Sequence, residues 1–248
     1  MAHHPPLQSD VRNRILLALP QATWERIRPR LEFIGLRRGE VLYRVGVRIE
    51  HLYFINRGLV SLIKTMHDGR AVEIGAVGIE GIAGLGGLYG IESAILEWVC
   101  QISGDAFRVD RNWLRAETAR DKELEELLQR SHALAVSQFA QTAACNRLHS
   151  IRKRCCSWLL TAHDSAQSDE FELTHEFLAV MLGAQRAGVS IALNGIQKAG
   201  LIRYRRGRVR ITDRIRLEKV ACECYDTIRM QLDKLLGPFD RQSRAVFD

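Results

Sequence analysis

The chain has 248 residues, and its 36 Lys and Arg exceed its 29 Asp and Glu to give a formal net charge of +7. Residues 147–216 contain 13 of the basic and 6 of the acidic residues, so the entire excess lies there. A local cationic field of this kind attracts a polyanion. No stretch approaches the roughly 18 apolar residues of a membrane-spanning helix. Residues 1–10 also lack the apolar run of a secretory signal. We therefore expect a cytoplasmic protein without a membrane partner.

The N-terminal half has the pattern of a small all-β domain. Residues 11–31 predict two short amphipathic helices. After Phe33, short apolar runs alternate with glycines, which is typical of short strands joined by tight turns. His67-Asp68-Gly69-Arg70 fits a hairpin turn between strands at residues 60–64 and 71–75. This pattern predicts an antiparallel β-barrel or jelly roll that extends to about Asp110.

Helices are predicted to follow. One long helix runs from about Asp121 to Asn146, and its apolar stripe can pack on the β domain and on a second copy of itself. A hinge at residues 146–150 precedes a helix from Ile151 to about Ala162, with Arg152, Lys153 and Arg154 outward. Residues 164–170 are predicted to form a loop. Asp213 caps a last helix that extends to Gly237-Pro238.

Residues 173–211 predict a winged helix-turn-helix. Thr174 caps a first helix, Gly183 ends it, and a second helix extends from about Gln185 to Lys198. A hairpin follows, in which arginines alternate with apolar residues around the turn at Arg206-Gly207. Guanidinium groups suit phosphate oxygens, and the outward face of the second helix suits a major groove. The predicted DNA-binding residues are Thr174, Gln185, Arg186, Ala187, Ser190, Ile191, Asn194, Arg205, Arg206 and Arg208.

The outward helix face carries two apolar side chains, Ala187 and Ile191. Apolar groups can contact thymine methyls, while Arg186 can bond a guanine edge and Ser190 or Gln185 a phosphate or base. We therefore hypothesise that the protein prefers half-sites rich in A·T base pairs and makes few direct polar contacts with the bases.

Several stretches resemble the β-roll of cyclic-nucleotide-binding domains: Gly39-Glu40-Val41-Leu42, Gly46, the run from Leu52 to Val60, and Asp68-Gly69-Arg70. With its C-terminal winged helix, the chain resembles the Crp/Fnr family of bacterial transcription regulators. The resemblance implies an α+β protein with an N-terminal antiparallel β-roll or jelly roll, a long dimerisation helix and a C-terminal winged helix-turn-helix. The corresponding domains are a sensor at residues 1–120, the helix at 121–146 and a DNA-binding domain at 147–248. It also implies a homodimer that binds a palindromic operator in double-stranded DNA and works with RNA polymerase.

The sensor departs from the family in its effector pocket. Nucleotide-binding members have a glycine-rich cassette, Gly-Glu-Leu-Gly-Leu ending in Arg-Ser-Ala, whose Glu holds the ribose and whose Arg holds the phosphate. An alignment without gaps places Ile82 at the Glu and Glu92 at the Arg. Isoleucine cannot accept a hydrogen bond from ribose, and a carboxylate repels a phosphate. We therefore predict that this degenerate pocket does not bind cyclic AMP in the usual mode, and its small-molecule effector is unknown. The pocket residues are Gly81, Ile82, Ala83, Gly84, Leu85, Glu92 and Ser93.

No cofactor or metal site is predicted. The six cysteines include no Cys-x-x-Cys pair, which argues against a zinc ribbon. The first is Cys100, whereas the iron–sulfur branch of the family supplies cluster ligands from its N-terminal region. Haem remains an alternative, because His51, His67 and His132 could each act as an axial ligand.

Two other functions remain as alternatives. One is a thiol-responsive regulator in which Cys145, or the pair Cys155-Cys156, changes the dimer on oxidation. The other is a non-DNA interaction module whose basic end binds a protein or an acidic membrane, for which steep salt dependence without sequence preference would be diagnostic. An enzyme is not expected, because no nucleophile–base pair or phosphate-binding loop is found.

Overall fold

The structure, a computed structural model, describes residues 6–238. The outermost residues of the predicted sensor and DNA-binding domains, 1–5 and 239–248, lie outside the described residues. An N-terminal β-roll is followed by a long helix and a C-terminal helical domain with a small sheet. The mixture of helices and antiparallel sheet matches the predicted α+β class.

The N-terminal segment is less helical than predicted. Two short helices precede the roll, α1 at Arg14–Leu17 and α2 at Gln21–Ile27. The first has only four residues, because Asn13 caps it by accepting from the amides of Ile15 and Leu16, and the chain leaves the helix after Leu17. Both helices bury apolar side chains in the roll's core.

The β-roll contains one antiparallel sheet of six strands. Its central path has the order β1-β6-β3-β4, with β2 paired to β6 and β5 paired to β3. The strands are β1 Glu32–Leu36, β2 Val41–Tyr43, β3 His51–Thr65, β4 Ala71–Val77, β5 Ile82–Ala83 and β6 Glu97–Asp110. The predicted hairpin between residues 60–64 and 71–75 is confirmed, because β3 and β4 pair across residues 66–70.

Long strands bend the sheet into a roll. The pairing of β3 with β6 shifts register on both sides of Gly58. This glycine has a φ of +90°, and a Cβ there would lie 2.4 Å from the Ile102 carbonyl oxygen, so no larger residue fits the bend.

Two helices lead out of the roll. Asp110 caps α3 (Arg111–Thr118), which was not predicted, and Asp121 caps α4 (Lys122–Leu148) by accepting from the Leu124 amide. The long helix therefore has nearly the predicted bounds. It approaches β4 closely, because the Phe139 ring lies where a side chain on Gly75 would be.

The C-terminal domain begins after His149, which ends α4. Its elements are α5 Ile151–Ala166, β7 Glu170–Glu172, α6 His175–Met181, α7 Arg186–Lys198, β8 Ile202–Arg205, β9 Arg208–Ile211, α8 Arg214–Val220 and α9 Glu223–Leu236. Two predictions were wrong here. Residues 164–170 are not a loop, because α5 continues to Ala166 and Glu170 already belongs to a strand. The last helix is also not continuous, because it breaks at Ala221 and Cys222.

The helix break has a tertiary cause. Ala221 and Cys222 are extended, and the Cys222 amide donates to the Ser157 hydroxyl of α5. After the break, α9 packs along α4 and returns to the β-roll, where Asp233 pairs with Arg14 at 2.9 Å. This helix therefore links the C-terminal elements to the β-roll.

The C-terminal domain packs directly on the β-roll. Leu59 and Ile102 of the roll lie in the same buried cluster as the core of the C-terminal domain. Arg38 also forms an ion pair with Glu172 at 2.8 Å. In the part of the chain that the structure describes, no single helix is long and apolar enough to cross a membrane. The helices His175–Met181 and Arg186–Lys198 are long and apolar enough only when they are taken together, and they are bent by 108° relative to each other.

Candidate nucleic-acid interface

The α6–α7 pair has the geometry of a helix-turn-helix. Thr174 caps α6, its hydroxyl accepting from the Phe177 amide at 3.2 Å. Gly183 follows the helix with a φ of +53°, the left-handed conformation that glycine adopts most readily. The two helices meet at 108°, within the range of about 90–120° for this motif. The predicted cap and turn are confirmed.

The two sides of α7 differ as predicted. Val189, Ala192, Leu193 and Ile196 are buried in the domain core. The opposite side exposes the predicted residues Gln185, Arg186, Ala187, Ile191 and Asn194. Ile191 is 74% exposed, although a large apolar side chain gains by leaving water. Its exposure is consistent with a partner that covers this face.

Two predicted DNA-binding hydroxyls already have partners within the protein. Thr174 is used in the helix cap. Ser190 is half-buried, and its Oγ lies 2.7 Å from Nδ1 of His175. These two residues therefore position the helices, and a contact with DNA would require them to share or change these bonds.

Arg186 is held at the edge of the exposed face. Its Nε lies 2.7 Å from Glu176 Oε1, with both side chains more than 60% exposed. An exposed ion pair of this kind contributes little, about 0–1 kcal/mol. Glu176 can therefore orient the guanidinium without preventing its transfer to a base or phosphate.

The wing is a three-stranded sheet in the order β7-β9-β8. Its turn is tight, with positive φ at both Arg206 and Gly207. Arg203 lies opposite Arg210, and Arg205 lies opposite Arg208. Like charges directly opposite each other destabilise a sheet, and a polyanion would relieve this repulsion. The wing therefore concentrates positive charge beside α7.

The sequence prediction missed the third strand, which adds acidic residues to the wing. Glu170 and Glu172 lie opposite Arg210 and Arg208 respectively. Arg208 also contacts Glu170, with 3.2 Å between Nε and Oε1. The outer strand β8, with Arg205, is therefore better placed than β9 to offer uncompensated charge. The alternating pattern of Glu170-Phe171-Glu172 was the available signal, but three residues are too few to establish a period.

Arg154 was predicted to point outward, and this prediction was wrong. Arg152 and Lys153 are exposed, but Arg154 is buried. It donates to the Leu182 carbonyl at the end of α6, and to Asn146 Oδ1 at 2.5 Å. The guanidinium satisfies a free carbonyl at a helix C-terminus and joins the helix-turn-helix to the hinge.

The predicted effector pocket is a cavity of about 130 Å³ between the β-roll, α4 and α9. Gly81, Ile82, Gly84 and Leu85 form part of its wall. Ala83 is buried in the roll's core. Glu92 and Ser93 are exposed and are not among the lining residues in the described part of the chain. The structure thus brings the glycine-rich start of the cassette and Ala94, at its end, to the cavity, but not Glu92 or Ser93.

The cavity lining is mainly apolar. Polar side chains in the lining are Glu80, Ser131, His132 and Gln138. Arginine and lysine do not occur in it among the described residues. Of the three histidines considered as haem ligands, His132 lines this cavity, whereas His67 lies in the exposed hairpin turn and His51 in β3.

The cysteines are free thiols, and five of the six are buried. Burial raises the pKa of Cys155 to about 12 and that of Cys156 to about 11, which keeps both as unreactive thiols. Cys145 differs, because its sulfur lies 3.5 Å from that of Cys222. The hydrogen bond between them raises the pKa of Cys145 and lowers that of Cys222.

Comparison with known proteins agrees with the geometry. Residues 153–220 match the model of the Crp-like helix-turn-helix domain. These residues form a Crp-like helix-turn-helix domain. No curated protein matches the sequence.

Solved structures match about three quarters of the chain. FixK2 from Bradyrhizobium japonicum has 19% identity and a TM-score of 0.66, covering 77% of this chain and 98% of its own. Two Crp/Fnr-type transcription regulators from Thermus thermophilus both have TM-scores of 0.62. One of them, TTHB099, is 22% identical and covers 76% of this chain and 96% of its own. The other, TTHA1359, is 21% identical and covers 77% and 98%. The chain therefore shares the fold of these Crp/Fnr-type structures, as its sequence resemblance implied.

Proposed function

We propose that this protein is a cytoplasmic, sequence-specific DNA-binding transcription regulator that acts as a homodimer on a palindromic operator. The exposed face of α7, with Ile191 largely open and the arginine-rich wing beside it, carries the proposal. The predicted contacts are those from Gln185, Arg186, Ala187, Ile191 and Asn194 in the major groove, with Arg205, Arg206 and Arg208 on phosphates. RNA polymerase is the further partner that the fold suggests.

The exposed side of α4 supports the homodimer. One stripe along its C-terminal half exposes small or apolar side chains at spacings of three and four residues: Ala133, Val136, Ala140, Ala143 and Ala144. Small side chains allow two helices to approach closely, and this spacing is that of a coiled-coil seam. Two-fold pairing there would place two α7 helices about one duplex turn, roughly 34 Å, apart. In the proposed division, residues 1–120 are the sensor, 121–146 the seam and 147–248 the DNA-binding domain.

The cavity supports an altered sensor. A cyclic nucleotide carries a phosphate that needs a cationic or N–H donor, and the lining supplies neither Arg nor Lys among the described residues. We therefore infer that cyclic AMP does not bind here in the usual mode. An effector that fits this lining is largely apolar, with one polar group near His132 or Gln138.

Among the alternatives, burial of Cys155 and Cys156 argues against that pair as a thiol switch. Cys145, with Cys222 beside it, is the better candidate for such a switch. The non-DNA interaction module is disfavoured by the match of residues 153–220 to a helix-turn-helix domain.

Selection of duplexes from a random pool tests the proposal, using reduced, ligand-free protein at near-physiological salt. We expect an enriched palindrome whose half-site centres lie about 10–11 base pairs apart. Salt-sensitive binding without any enriched sequence would favour the interaction module instead.

A further inference from the structure

Four side chains that bind soft metal ions meet at the hinge between the two regions of the protein. Cys145 and His149 lie one helical turn apart at the end of α4. Cys222 and Cys224 lie at the start of α9. Their Sγ and imidazole nitrogen atoms all lie within 4.8 Å of one another. Because the two pairs are far apart in sequence, only the fold brings them together.

The distances fit a single tetrahedral ion. With Zn–S of 2.3 Å and Zn–N of 2.0–2.1 Å, a tetrahedron separates two sulfurs by about 3.8 Å and a sulfur from a nitrogen by about 3.5 Å. Here 3.5 Å separates the sulfurs of Cys145 and Cys222, and 3.4 Å separates Cys224 Sγ from His149 Nδ1. A small adjustment of side chains would therefore accommodate an ion.

The surrounding groups orient these four side chains. His149 Nε2 lies 3.1 Å from Glu223 Oε1, which favours the tautomer that leaves Nδ1 free to bind a metal. Gln141 Nε2 donates to Cys224 Sγ at 3.0 Å, and Ser157 Oγ lies 3.0 Å from Cys222 Sγ. Such hydrogen bonds to metal-binding sulfur and imidazole are the usual second layer of a metal site.

We propose that Cys145, His149, Cys222 and Cys224 bind one Zn²⁺ ion as a structural Cys₃His site. Four protein ligands close the coordination sphere, so the site is structural rather than catalytic. Three thiolates and an imidazole are a soft donor set that suits Zn²⁺ and not Mg²⁺ or Ca²⁺. Binding releases the protons of the thiols as the four bonds to the metal form, and no oxidation is involved.

The position of the site gives the ion a role in joining the domains. The ion would link the start of α9 to the end of α4, across the hinge that contains His149. From there α9 reaches the sensor, where Leu232 and Leu235 line the apolar cavity. The ion therefore holds the DNA-binding domain, the long helix and the sensor cavity in a fixed relation.

Metal analysis of the full-length protein, purified under reducing conditions without added metal, tests the site. We expect one equivalent of zinc per chain. Replacement by Co²⁺ is expected to give the intense visible bands of a tetrahedral ion and thiolate-to-cobalt charge transfer. Cys222→Ala and Cys224→Ala should weaken Co²⁺ binding by roughly a hundredfold or more, whereas the matched control Cys156→Ala, a buried thiol outside the cluster, should bind like the wild type.

Two milder substitutions distinguish the loss of a metal ligand from misfolding. Glu223→Gln changes an exposed side chain and should weaken Co²⁺ binding about 10–100-fold. His149→Cys should retain a tetrahedral spectrum with stronger charge-transfer bands, whereas His149→Ala should lose it. The proposal is overturned if the reduced wild type binds no Co²⁺ with these bands, or if the cluster variants bind it as tightly as the wild type. A Cys145–Cys222 disulfide in protein isolated without reductant, detected by mass spectrometry, would equally overturn it in favour of a redox pair.

Discussion

Glu73 is expected to make the stability of this protein depend on pH near neutrality. The carboxyl group lies in β4, is buried, and faces the boundary between the β-roll and α5. Burial raises its pKa from 4.5 to about 7, opposed in part by a hydrogen bond from Ser61 and by the Trp158 indole. Because the unfolded chain loses this proton near pH 4.5 and the folded chain near pH 7, folded protein holds the extra proton between these values. Stability contributed by Glu73 is therefore full below pH 4.5 and is lost as the pH rises to 7.

The magnitude follows from the displacement of the pKa. Raising the pKa from 4.5 to about 7, at about 1.4 kcal/mol per pH unit, changes the free energy of unfolding by roughly 3 kcal/mol. Glu73→Gln keeps the size and hydrogen-bonding ability of the side chain but removes the charge. We expect the stability of this variant relative to wild type to rise by roughly 2–3 kcal/mol between pH 5 and pH 8, because part of the change already occurs below pH 5.

Urea unfolding followed by tryptophan fluorescence at several pH values measures this difference. Glu92→Gln, which makes the same substitution at an exposed carboxylate, is the matched control. A difference between Glu73→Gln and wild type that stays constant from pH 5 to pH 8 would refute the assignment of a neutral, buried carboxyl group.

Three further predictions concern the dimer and the DNA contacts. Val136→Glu should weaken dimerisation by roughly 3 kcal/mol, because the dimer interface would then bury two unpaired carboxylates. The control Lys122→Glu, at the charged end of α4, should leave dimerisation unchanged. Analytical ultracentrifugation measures both, and an unchanged dimer in Val136→Glu would exclude this seam. Arg186→Ala should cost about 1–3 kcal/mol per half-site and relax the preference at one base pair in each half-site in competition assays; a uniform loss over all sequences would make it a phosphate contact. Arg205→Ala should reduce the slope of log affinity against log salt by about 0.9 per subunit, or about 1.8 for the dimer, and an unchanged slope would remove it from the interface.

Local signals made the helix-turn-helix predictable from sequence. A cap at Thr174, a left-handed Gly183 and the apolar spacing of α7 each act within a few residues, so their meaning does not depend on distant contacts. The β3–β4 hairpin was predictable for the same reason, through its Asp-Gly turn. The long helix α4 was also clear, because its apolar stripe extends over many turns.

Features that depend on tertiary contacts were not predictable. The break between α8 and α9 has no Gly or Pro at residues 221–222 and follows from the bond between Cys222 and Ser157. Arg154 belongs to a charged run, and its burial is explained only by the Leu182 carbonyl that it meets. The proposed metal-binding cluster joins a Cys-x₃-His pair to a distant Cys-x-Cys pair, neither of which has the spacing of a zinc ribbon.

Binding to the enriched palindrome tests the central claim most directly. Affinity should be measured by fluorescence anisotropy for that duplex and for one in which the two half-sites are moved apart by about five base pairs, half a helical turn. A homodimer with two fixed recognition helices should bind the altered duplex at least about a hundredfold more weakly, because only one half-site can be engaged at a time. Equal affinity for the two duplexes would contradict the account of a two-fold symmetric, sequence-specific regulator.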